Sequence, residues 1–397
     1  MITEKLIIKD SIQYIKYMGS KTKILPFVID GIEDVYEGGS ICDLFSGSCS
    51  LSGAIGDQVP VISNDIQEYS AIIAKSLLTD WYDQKITSIK IIEEAKKYHS
   101  EHFKSIVEEY NYPKDIDLDS FNQIERKNQE LINFNFSNKW HLFTKYYSGT
   151  WWSAEQCSWI DSLRKVIEDY RDNPAFNTIL SSLMYAMAYN SQGTGHYAQF
   201  RDAKTNSTMK DIQIYRGKSI LDYFKRKLNT SLDNLPLTQS EFNHEIITKD
   251  YIECLKEIKN CTVYADPPYC FVHYSRFYHA LETIVLYDYP ELQHKNGKIV
   301  KGRYRENRHQ SPFCIRTKVS DAFDDMFKII NKNGCSLVLS YSDTGMITLN
   351  ELLILAKKNF TNHSINVKSM DHAHMTMGRQ NDRDREVKEL LILIKPY

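Results

Sequence analysis

Short apolar runs, each followed by a polar or glycine-containing turn, open the chain. The first strand-like run, 41–45, ends in the small-residue stretch 46–53. A second apolar run, 59–63, ends in Asn64 and Asp65. A strand, a glycine-containing turn, a helix and a second strand closed by an acid form the opening of a nucleotide-type α/β unit.

A long region of helical periodicity follows. Residues 70–175 are rich in lysine and glutamate and predict helices, with polar stretches near 111–130 that are typical of loops. A helix-like apolar run, Thr178 to Tyr189, then leads into the polar loop 190–196. No second glycine-turn unit occurs between 70 and 175, so we interpret this region as an insertion.

Strand signals return late in the chain, at 261–265, 336–340 and 389–394, and a helix-like stretch at 321–331 precedes the second of them. The pattern predicts an α/β fold with a Rossmann-like sheet, mostly parallel with an antiparallel edge hairpin and interrupted by a helical insert. We place the sheet domain at 1–78 and 176–397, the insert at 79–175 and a long loop at 270–316.

Composition and charge narrow the class of protein. The 42% hydrophobic and 25% charged residues are typical of a globular protein, and no run of 18 apolar residues predicts a membrane span. The polar start is not typical of a signal peptide, and the eight cysteines contain no CxxC pair, so we expect a reduced cytoplasmic protein without a zinc cluster. The net charge of −2 means that a nucleic-acid partner would require a local basic face.

The turn after the first strand is built for a close ligand. Ser46, Gly47 and Ser48 carry small side chains, so a ligand can approach the backbone. Asp65 follows the second strand, where an α/β ligand domain places an acid on ribose hydroxyls. The GxGxxG pattern of a dinucleotide site is missing. An ordinary βα turn with a solvated acid accounts for the same residues.

The tetrapeptide Asp266-Pro267-Pro268-Tyr269 carries the most specific chemistry. Two prolines directly after a strand offer no N–H, so they end the ladder and leave carbonyl groups pointing outward. The Asp266 carboxylate and the Pro-Pro carbonyl can accept the two hydrogens of an amino group on a nucleobase. The nitrogen lone pair would then attack a methyl group directly, without a covalent enzyme intermediate. Tyr269 would stack on a base turned out of its helix.

In these residues the chain resembles the Dam-like class (D12, alpha type) of DNA adenine N6-methyltransferases. In that class the cofactor motif precedes the catalytic tetrapeptide. The residues that carry the resemblance are Lys16-Tyr17-Met18-Gly19-Ser20-Lys21, Asp43-Leu44-Phe45-Ser46-Gly47-Ser48, Asn64-Asp65 and Asp266-Pro267-Pro268-Tyr269. The match extends over 14–70 and about 245–345, and it is weak in the insert. The resemblance implies that the insert is the region for target recognition.

The resemblance implies S-adenosylmethionine as cofactor. Tyr17 and Lys21 would contact its methionine end, Asp65 would bind its ribose, and Asp250 would accept a hydrogen bond from its adenine. The remaining residues expected in this site are Asp43, Phe45, Ser46, Gly47, Ser48, Ile66 and Tyr251. The sequence departs from the common pattern in two places, because a second glycine is missing from the loop and Tyr stands at 17, where Trp is also common.

Two loops are candidates for contact with duplex DNA. The segment around 193–204 contains Tyr197 and Arg201, and the long loop 270–316 contains Arg303, Arg305 and Arg308. Arginine beside tyrosine and glutamine suits phosphate binding and the recognition of base edges. A solvated polar loop is the alternative for both segments. A cognate restriction endonuclease or another defence component is the protein partner that the resemblance implies.

Other readings of the same residues remain open. RNA adenine N6 is an alternative substrate, because an RNA enzyme keeps the same tetrapeptide, whereas a glutamine-amide enzyme usually carries Asn in place of Asp266. A catalytically inactive DNA-binding module would be expected to lose Asp266 or Tyr269, and a nucleotide-dependent reductase would need a phosphate-binding glycine loop. Cytosine C5 methylation needs a Cys after a proline, whereas Cys270 follows Tyr269. His372 and His374 lack a matching acid or cysteine pattern, so no metal site is predicted.

Overall fold

The computed structural model describes residues 5–9, 11–193, 195–268, 273–342, 345–374 and 385–397. Within these ranges one seven-stranded sheet forms the centre of the protein. Its strands are β1 Ile41–Asp43, β2 Val61–Asn64, β3 Glu245–Ile247, β4 Thr262–Ala265, β7 Ser336–Ser342, β8 His363–His374 and β9 Arg385–Pro396. A separate two-stranded ribbon joins β5 His294–Lys295 to β6 Lys298–Ile299.

The strand order across the sheet is β3-β2-β1-β4-β7-β9-β8. The first five of these strands run parallel, whereas β9 is antiparallel to both β7 and β8. Every residue of β4 and β7 is buried, as expected for strands covered on both faces. The predicted α/β fold, a mostly parallel Rossmann-like sheet with an antiparallel edge hairpin, is confirmed.

Helices cover both faces of this sheet. The helices that lie next to the strands of this sheet in the sequence are α1 Leu25–Val35, α2 Ser50–Ile55, α3 Glu68–Leu78, α12 Tyr251–Glu257, α13 Tyr274–Phe277, α14 His279–Leu286, α15 Val319–Lys332 and α16 Leu349–Asn359. Single 3-10 turns lie at Lys21–Ile24, Glu108–Tyr110, Leu131–Asn133 and Pro312–Cys314. No helix of the described ranges combines the length and the apolarity that a membrane span requires.

Eight further helices lie between α3 and β3. They are α4 Ser88–His102, α5 Lys104–Val107, α6 Leu118–Glu130, α7 Leu142–Tyr147, α8 Ala154–Glu168, α9 Phe176–Asn190, α10 Asn206–Arg216 and α11 Ile220–Asp233. Helix α9 packs against α3 on one side and against α8 and α11 on the other, within a single hydrophobic core. The packing therefore continues across residue 175, and the domain division at that residue stays a prediction.

The loop prediction for 111–130 is wrong over its second half, because 118–130 is helix α6. The side chain of Asp117 accepts a hydrogen bond from the backbone N–H of Ser120 and caps the helix. Phe121 is buried, and Glu125 forms a buried ion pair of 2.8 Å with Arg216 of α10. The apolar residues Leu118 and Phe121 lie at helical spacing and pack in one cluster, but the polar residues between them made the segment resemble a loop.

Candidate active site

A cavity of about 1170 Å³, its open mouth included, lies at the carboxyl ends of β1, β2, β3 and β4. The strand order reverses between β1 and β4, and open α/β sheets bind ligands outside such a switch point. Predicted site residues that line the cavity are Tyr17, Phe45, Asp65, Ile66, Asp250, Tyr251, Asp266, Pro267 and Pro268. Phe45 and Asp65 therefore meet the first three residues of the tetrapeptide, 266–268, in one cavity.

Asp266 follows β4 directly and lies beside two other buried charged groups. Its carboxylate is 3.3 Å from the ammonium group of Lys21, and the same ammonium group is 3.3 Å from the carboxylate of Glu389. The side chains of Lys21 and Glu389 are 9% and 5% exposed, and that of Asp266 is 18% exposed. Asp266 is thus held by a buried cation on one side and remains open to the cavity on the other.

The charges of this cluster shift one another's pKa values. Burial raises the pKa of Asp266 to about 6, Lys21 opposes the rise, and Glu389 adds to it. Burial lowers the pKa of Lys21, but Asp266, Tyr264 and Glu389 raise it above its ordinary value, so Lys21 stays charged. Near neutral pH Asp266 is therefore an ionised acceptor.

The two prolines form the cavity wall next to Asp266. Pro267 and Pro268 both line the cavity, and the thiol of Cys314 donates a hydrogen bond of 3.3 Å to the carbonyl of Pro268. Cys314 ends the 3-10 turn Pro312–Cys314, so the region before α15 supports the strand exit. Tyr269, the predicted stacking residue, lies outside the described residues.

Asp65 ties the glycine loop to the end of β2. One carboxylate oxygen accepts from the backbone N–H of Gly47 and the other from that of Gln67, each at 3.0 Å. Burial raises the pKa of Asp65 to about 6, and these backbone hydrogen bonds limit the rise. Each oxygen keeps a lone pair, so the carboxylate can still accept from a ligand hydroxyl.

The ring of Tyr17 lies on the glycine loop. A Cβ atom at Gly47, which has φ +51°, would lie 2.7 Å from this ring. Tyr17 also stacks on Tyr278 with ring centroids 4.8 Å apart, and the hydroxyl of Tyr278 accepts from the backbone N–H of Met18. Only glycine permits this contact, which places the Tyr17 ring in the cavity wall beside the cofactor loop.

An aromatic slot forms the other end of the cavity. The Phe45 ring contacts those of Tyr251 and Phe313 at centroid distances of 5.8 and 5.6 Å. Asp250 begins α12, and its side chain accepts a hydrogen bond of 3.0 Å from the backbone N–H of Ile252. Strand β3 ends at Ile247, and Asp250 is a helix cap at the cavity edge. A flat apolar slot beside a carboxylate suits a purine with an amino group.

Five predicted cofactor residues are not among the described residues that line the cavity: Lys21, Asp43, Ser46, Gly47 and Ser48. Lys21 forms ion pairs with the carboxylates of Asp266 and Glu389, as given above. Asp43 is buried and accepts a 2.7 Å hydrogen bond from Ser52, and burial raises its pKa to about 7. Ser46 bonds the carbonyl of Asn64, and Ser48 bonds Ser50. In this conformation these side chains support the loop, and their direct contact with a cofactor stays a prediction.

The prediction that Tyr197 faces DNA is wrong in this structure. Tyr197 is 2% exposed, and its ring packs against Trp151 and Trp152 at centroid distances of 5.8 and 5.4 Å. The loop that carries it packs on the second predicted DNA loop. The backbone N–H of Tyr197 donates a hydrogen bond to the carbonyl of Phe277, and Lys301 forms an ion pair with Asp202. The Tyr197 side chain is therefore covered by Trp151 and Trp152, and the two predicted DNA loops pack against each other.

Three of the four predicted DNA-binding arginines, Arg201, Arg305 and Arg308, donate to acceptors within the protein. Arg305 makes a two-pronged ion pair with Asp288 at 2.8 and 2.6 Å, and both terminal nitrogens of Arg308 donate to Gln293 at 3.2 Å. Arg201 donates to the carbonyl of Gln192, and Arg303 is half-buried. A role for Arg201, Arg303, Arg305 and Arg308 in DNA contact stays a prediction. For Arg305 it would require the pair with Asp288 to open.

Sequence reasoning missed Glu389 and Cys314. Glu389 starts the apolar run 389–394, so its only signal was a lone acid in front of buried positions. Cys314 had no motif at all. The side chains of His372 and His374 lie outside the described residues. Trp151 and Trp152 are fully buried core residues.

Together, the sheet order and this cavity define a Rossmann-like methyltransferase domain. The chain belongs to the D12 class N6 adenine-specific DNA methyltransferases, whose family model matches residues 17–335. The matched segment contains the cofactor loop, the helical region and the tetrapeptide. Glu389 lies beyond it.

Curated relatives include three bacterial enzymes of restriction-modification type. The chain is 25% identical to modification methylase LlaI of Lactococcus lactis subsp. lactis over 96% of its length and 55% of that protein. It is 24% identical to type II methyltransferase M.FokI of Planomicrobium okeanokoites, over 87% of the chain and 47% of that protein. For modification methylase StsI of Streptococcus sanguinis the identity is 22%, over 96% and 52%. The chain spans about half the length of these relatives.

Proposed function

We propose that this protein methylates the N6 atom of adenine in duplex DNA, with S-adenosylmethionine as the methyl donor. The observation that carries the proposal is the position of Asp266, Pro267 and Pro268 in one cavity with Phe45 and Asp65. Acceptors for an amino group and a small-residue cofactor loop lie at the ends of neighbouring parallel strands. Membership of the family supports the substrate.

The residues of the cavity fit the cofactor. When bound, S-adenosylmethionine supplies a methyl group on a positively charged sulfur. Asp65 offers lone pairs for hydroxyl groups, the slot of Phe45 and Tyr251 suits a purine, and Asp250 lies at its edge. The buried carboxylate of Asp65 favours a positive charge in the cavity, whereas the charge of Asp266 is already paired with Lys21.

The chemical step that we propose needs no covalent enzyme intermediate. The ionised Asp266 accepts one hydrogen of the N6 amino group, and the carbonyl of Pro267 accepts the other. These contacts hold the amino group so that its lone pair faces the methyl donor, which is catalysis by positioning and electrostatics. The new N6–carbon bond would replace the sulfur–carbon bond of the donor, whose sulfur would leave as a neutral thioether. The proton that N6 loses would pass to the Asp266 carboxylate. The target adenine must leave the duplex to reach the cavity, and Tyr269 would stack on it.

Labelled cofactor and duplex DNA test the proposal directly. The wild type should transfer label to N6 of adenine. Asp266→Asn keeps the shape of the side chain but removes its charge, so it should lower the rate by at least about a hundredfold while cofactor binding, measured by calorimetry, changes little. Label that enters RNA and never DNA would support the RNA alternative. Cofactor binding without transfer to any nucleic acid would indicate an inactive module.

A restriction-modification role follows from the names of the three relatives, and we propose it for this chain too. The protein would then protect a specific site from a cognate restriction endonuclease. Sequencing of DNA methylated by the purified enzyme, with a readout for N6-methyladenine, should give one recurring sequence context. Methylation spread over all adenines would contradict this role.

A further inference from the structure

Three lysines and their tyrosine neighbours form a surface that the proposed active site does not use. Its members are Lys16, Lys218 and Lys227, which lie over the rings of Tyr189, Tyr215 and Tyr185, respectively. The ammonium-to-centroid distances are 4.5, 4.1 and 4.9 Å. We call these six residues the lysine–tyrosine surface.

The surface is continuous although its residues are far apart in the sequence. Tyr185 and Tyr189 stack on α9 with ring centroids 4.2 Å apart. Lys16 lies on the ring of Tyr189, and Lys218 donates a 3.0 Å hydrogen bond to the carbonyl of the same residue. Lys227 lies on Tyr185. The two stacked rings therefore carry Lys16 and Lys227, and Lys218 is joined to them through the carbonyl of Tyr189.

These ammonium groups have no carboxylate partner among the residues that the structure describes. Burial lowers the pKa of Lys16, and the neighbouring charge of Lys218 lowers it further. Burial also lowers the pKa of Lys227, to about 8. Half-buried like charges without a counter-ion are costly to hold together, and contact with tyrosine faces offsets only part of that cost.

We infer that the lysine–tyrosine surface binds the phosphate backbone of the duplex whose adenine enters the cavity. A polyanion supplies the missing counter-charges, and tyrosine hydroxyls can donate to phosphate oxygens. Lys16 directly precedes Tyr17, which lines the cavity, so the surface begins at the cavity wall. The net charge of −2 makes a local basic surface necessary for a DNA partner. This inference rests on the proposed function.

A charge-matched pair of triple variants tests it. The first combines Lys16→Gln, Lys218→Gln and Lys227→Gln. The control combines Lys259→Gln, Lys332→Gln and Lys357→Gln, three exposed lysines on or near α12, α15 and α16. Both remove three positive charges, so a difference between them reports position and not net charge. Duplex binding is measured by fluorescence anisotropy across a salt series, and cofactor binding by calorimetry.

The first variant should bind duplex DNA at least about tenfold more weakly at moderate salt, with a salt slope smaller by about two to three. The control should stay within about twofold of the wild type, and cofactor binding should be unchanged in both. Equal salt slopes in the two variants would contradict the inference that the lysine–tyrosine surface binds DNA, and they would leave the proposed function intact. A wild type that binds duplex but transfers no methyl group would overturn the proposed function alone. A variant that loses affinity for single-stranded RNA but not for duplex DNA would show that the partner is wrong.

Discussion

The ammonium group of Lys21 lies 3.3 Å from the carboxylate of Asp266, although the two residues are far apart in the sequence. Lys21 belongs to the turn before α1, whereas Asp266 follows β4. Glu389 of β9 shares the same ammonium group. The charge on Asp266 is therefore set by two residues that lie outside the tetrapeptide.

Glu389→Gln should shift the pH profile of methyl transfer. Burial raises the pKa of Asp266 to about 6, so activity should fall as the pH drops through that value and Asp266 takes up a proton. Glu389 adds to the rise. Removal of its charge should thus lower the pKa of Asp266 and move the acid limb of kcat towards lower pH by about one unit.

Asp43 and Asp65 titrate in a similar range, but Glu389 is not among the groups that shift their pKa values. A moved acid limb therefore identifies Asp266. Glu101→Gln removes the same charge from an exposed position on α4 and should leave the profile unchanged. An unmoved limb in Glu389→Gln would exclude Glu389 as a positioning residue, whatever its effect on stability.

Gly47→Ala should weaken cofactor binding by about tenfold. The new Cβ would lie 2.7 Å from the ring of Tyr17, so this ring must leave the cavity wall. Gly38→Ala is the matched control, because Gly38 also has a positive φ, +105°, but nothing lies within 4 Å of its Cβ position. Both variants should lose about 1 kcal/mol of unfolding free energy to backbone strain. Calorimetry should find weaker cofactor binding in Gly47→Ala alone, and an equal loss in both would contradict the contact.

Asp43→Asn should stabilise the protein in a pH-dependent way. Burial raises the pKa of Asp43 from 3.8 to about 7. The contribution of protonated Asp43 to the stability of the wild type is therefore fully present below pH 3.8, and it is lost as the pH rises to about 7. The asparagine does not titrate, and it can still accept from Ser52. Its advantage in chemical denaturation should therefore grow between pH 4 and 7 and then level off, at no more than roughly 4 kcal/mol. A constant difference at all pH values would show that the carboxyl group is not protonated by burial.

Arg305→Gln and Asp288→Asn should lower the free energy of unfolding by equal amounts. The two side chains form an ion pair near the surface, so each variant should cost about 1 kcal/mol or less. Duplex affinity and its salt slope should change in neither, because the guanidinium donors are already used by Asp288. Weaker DNA binding in Arg305→Gln alone would instead support the DNA contact that the sequence predicts for Arg305.

The parts of the site that the sequence predicted are those carried by short local patterns. Phe45, Asp65 and Asp266 each follow a short apolar strand, and parallel strands that share a direction bring their carboxyl ends to one edge. The sheet itself follows from the same runs. Local patterns of this kind were therefore sufficient to predict that the three residues share one cavity.

The remaining parts depend on contacts between distant segments. Glu389 acts through a lysine 368 positions away. Tyr197 lies in a polar loop that suggests exposure, but packing against Trp151 and Trp152 covers it. Lys16 and Lys218 meet only through Tyr189. Sequence patterns describe one element at a time, so none of these relationships had a local signal.

The position of β9 between β7 and β8 has a consequence for synthesis of the protein. It follows every other strand of the sheet in the chain, yet it occupies an interior place and delivers Glu389. Until β9 has left the ribosome, β8 has no partner in the sheet and the charge cluster lacks Glu389. The order of translation therefore delays completion of the charge cluster around Asp266 until the sheet is closed.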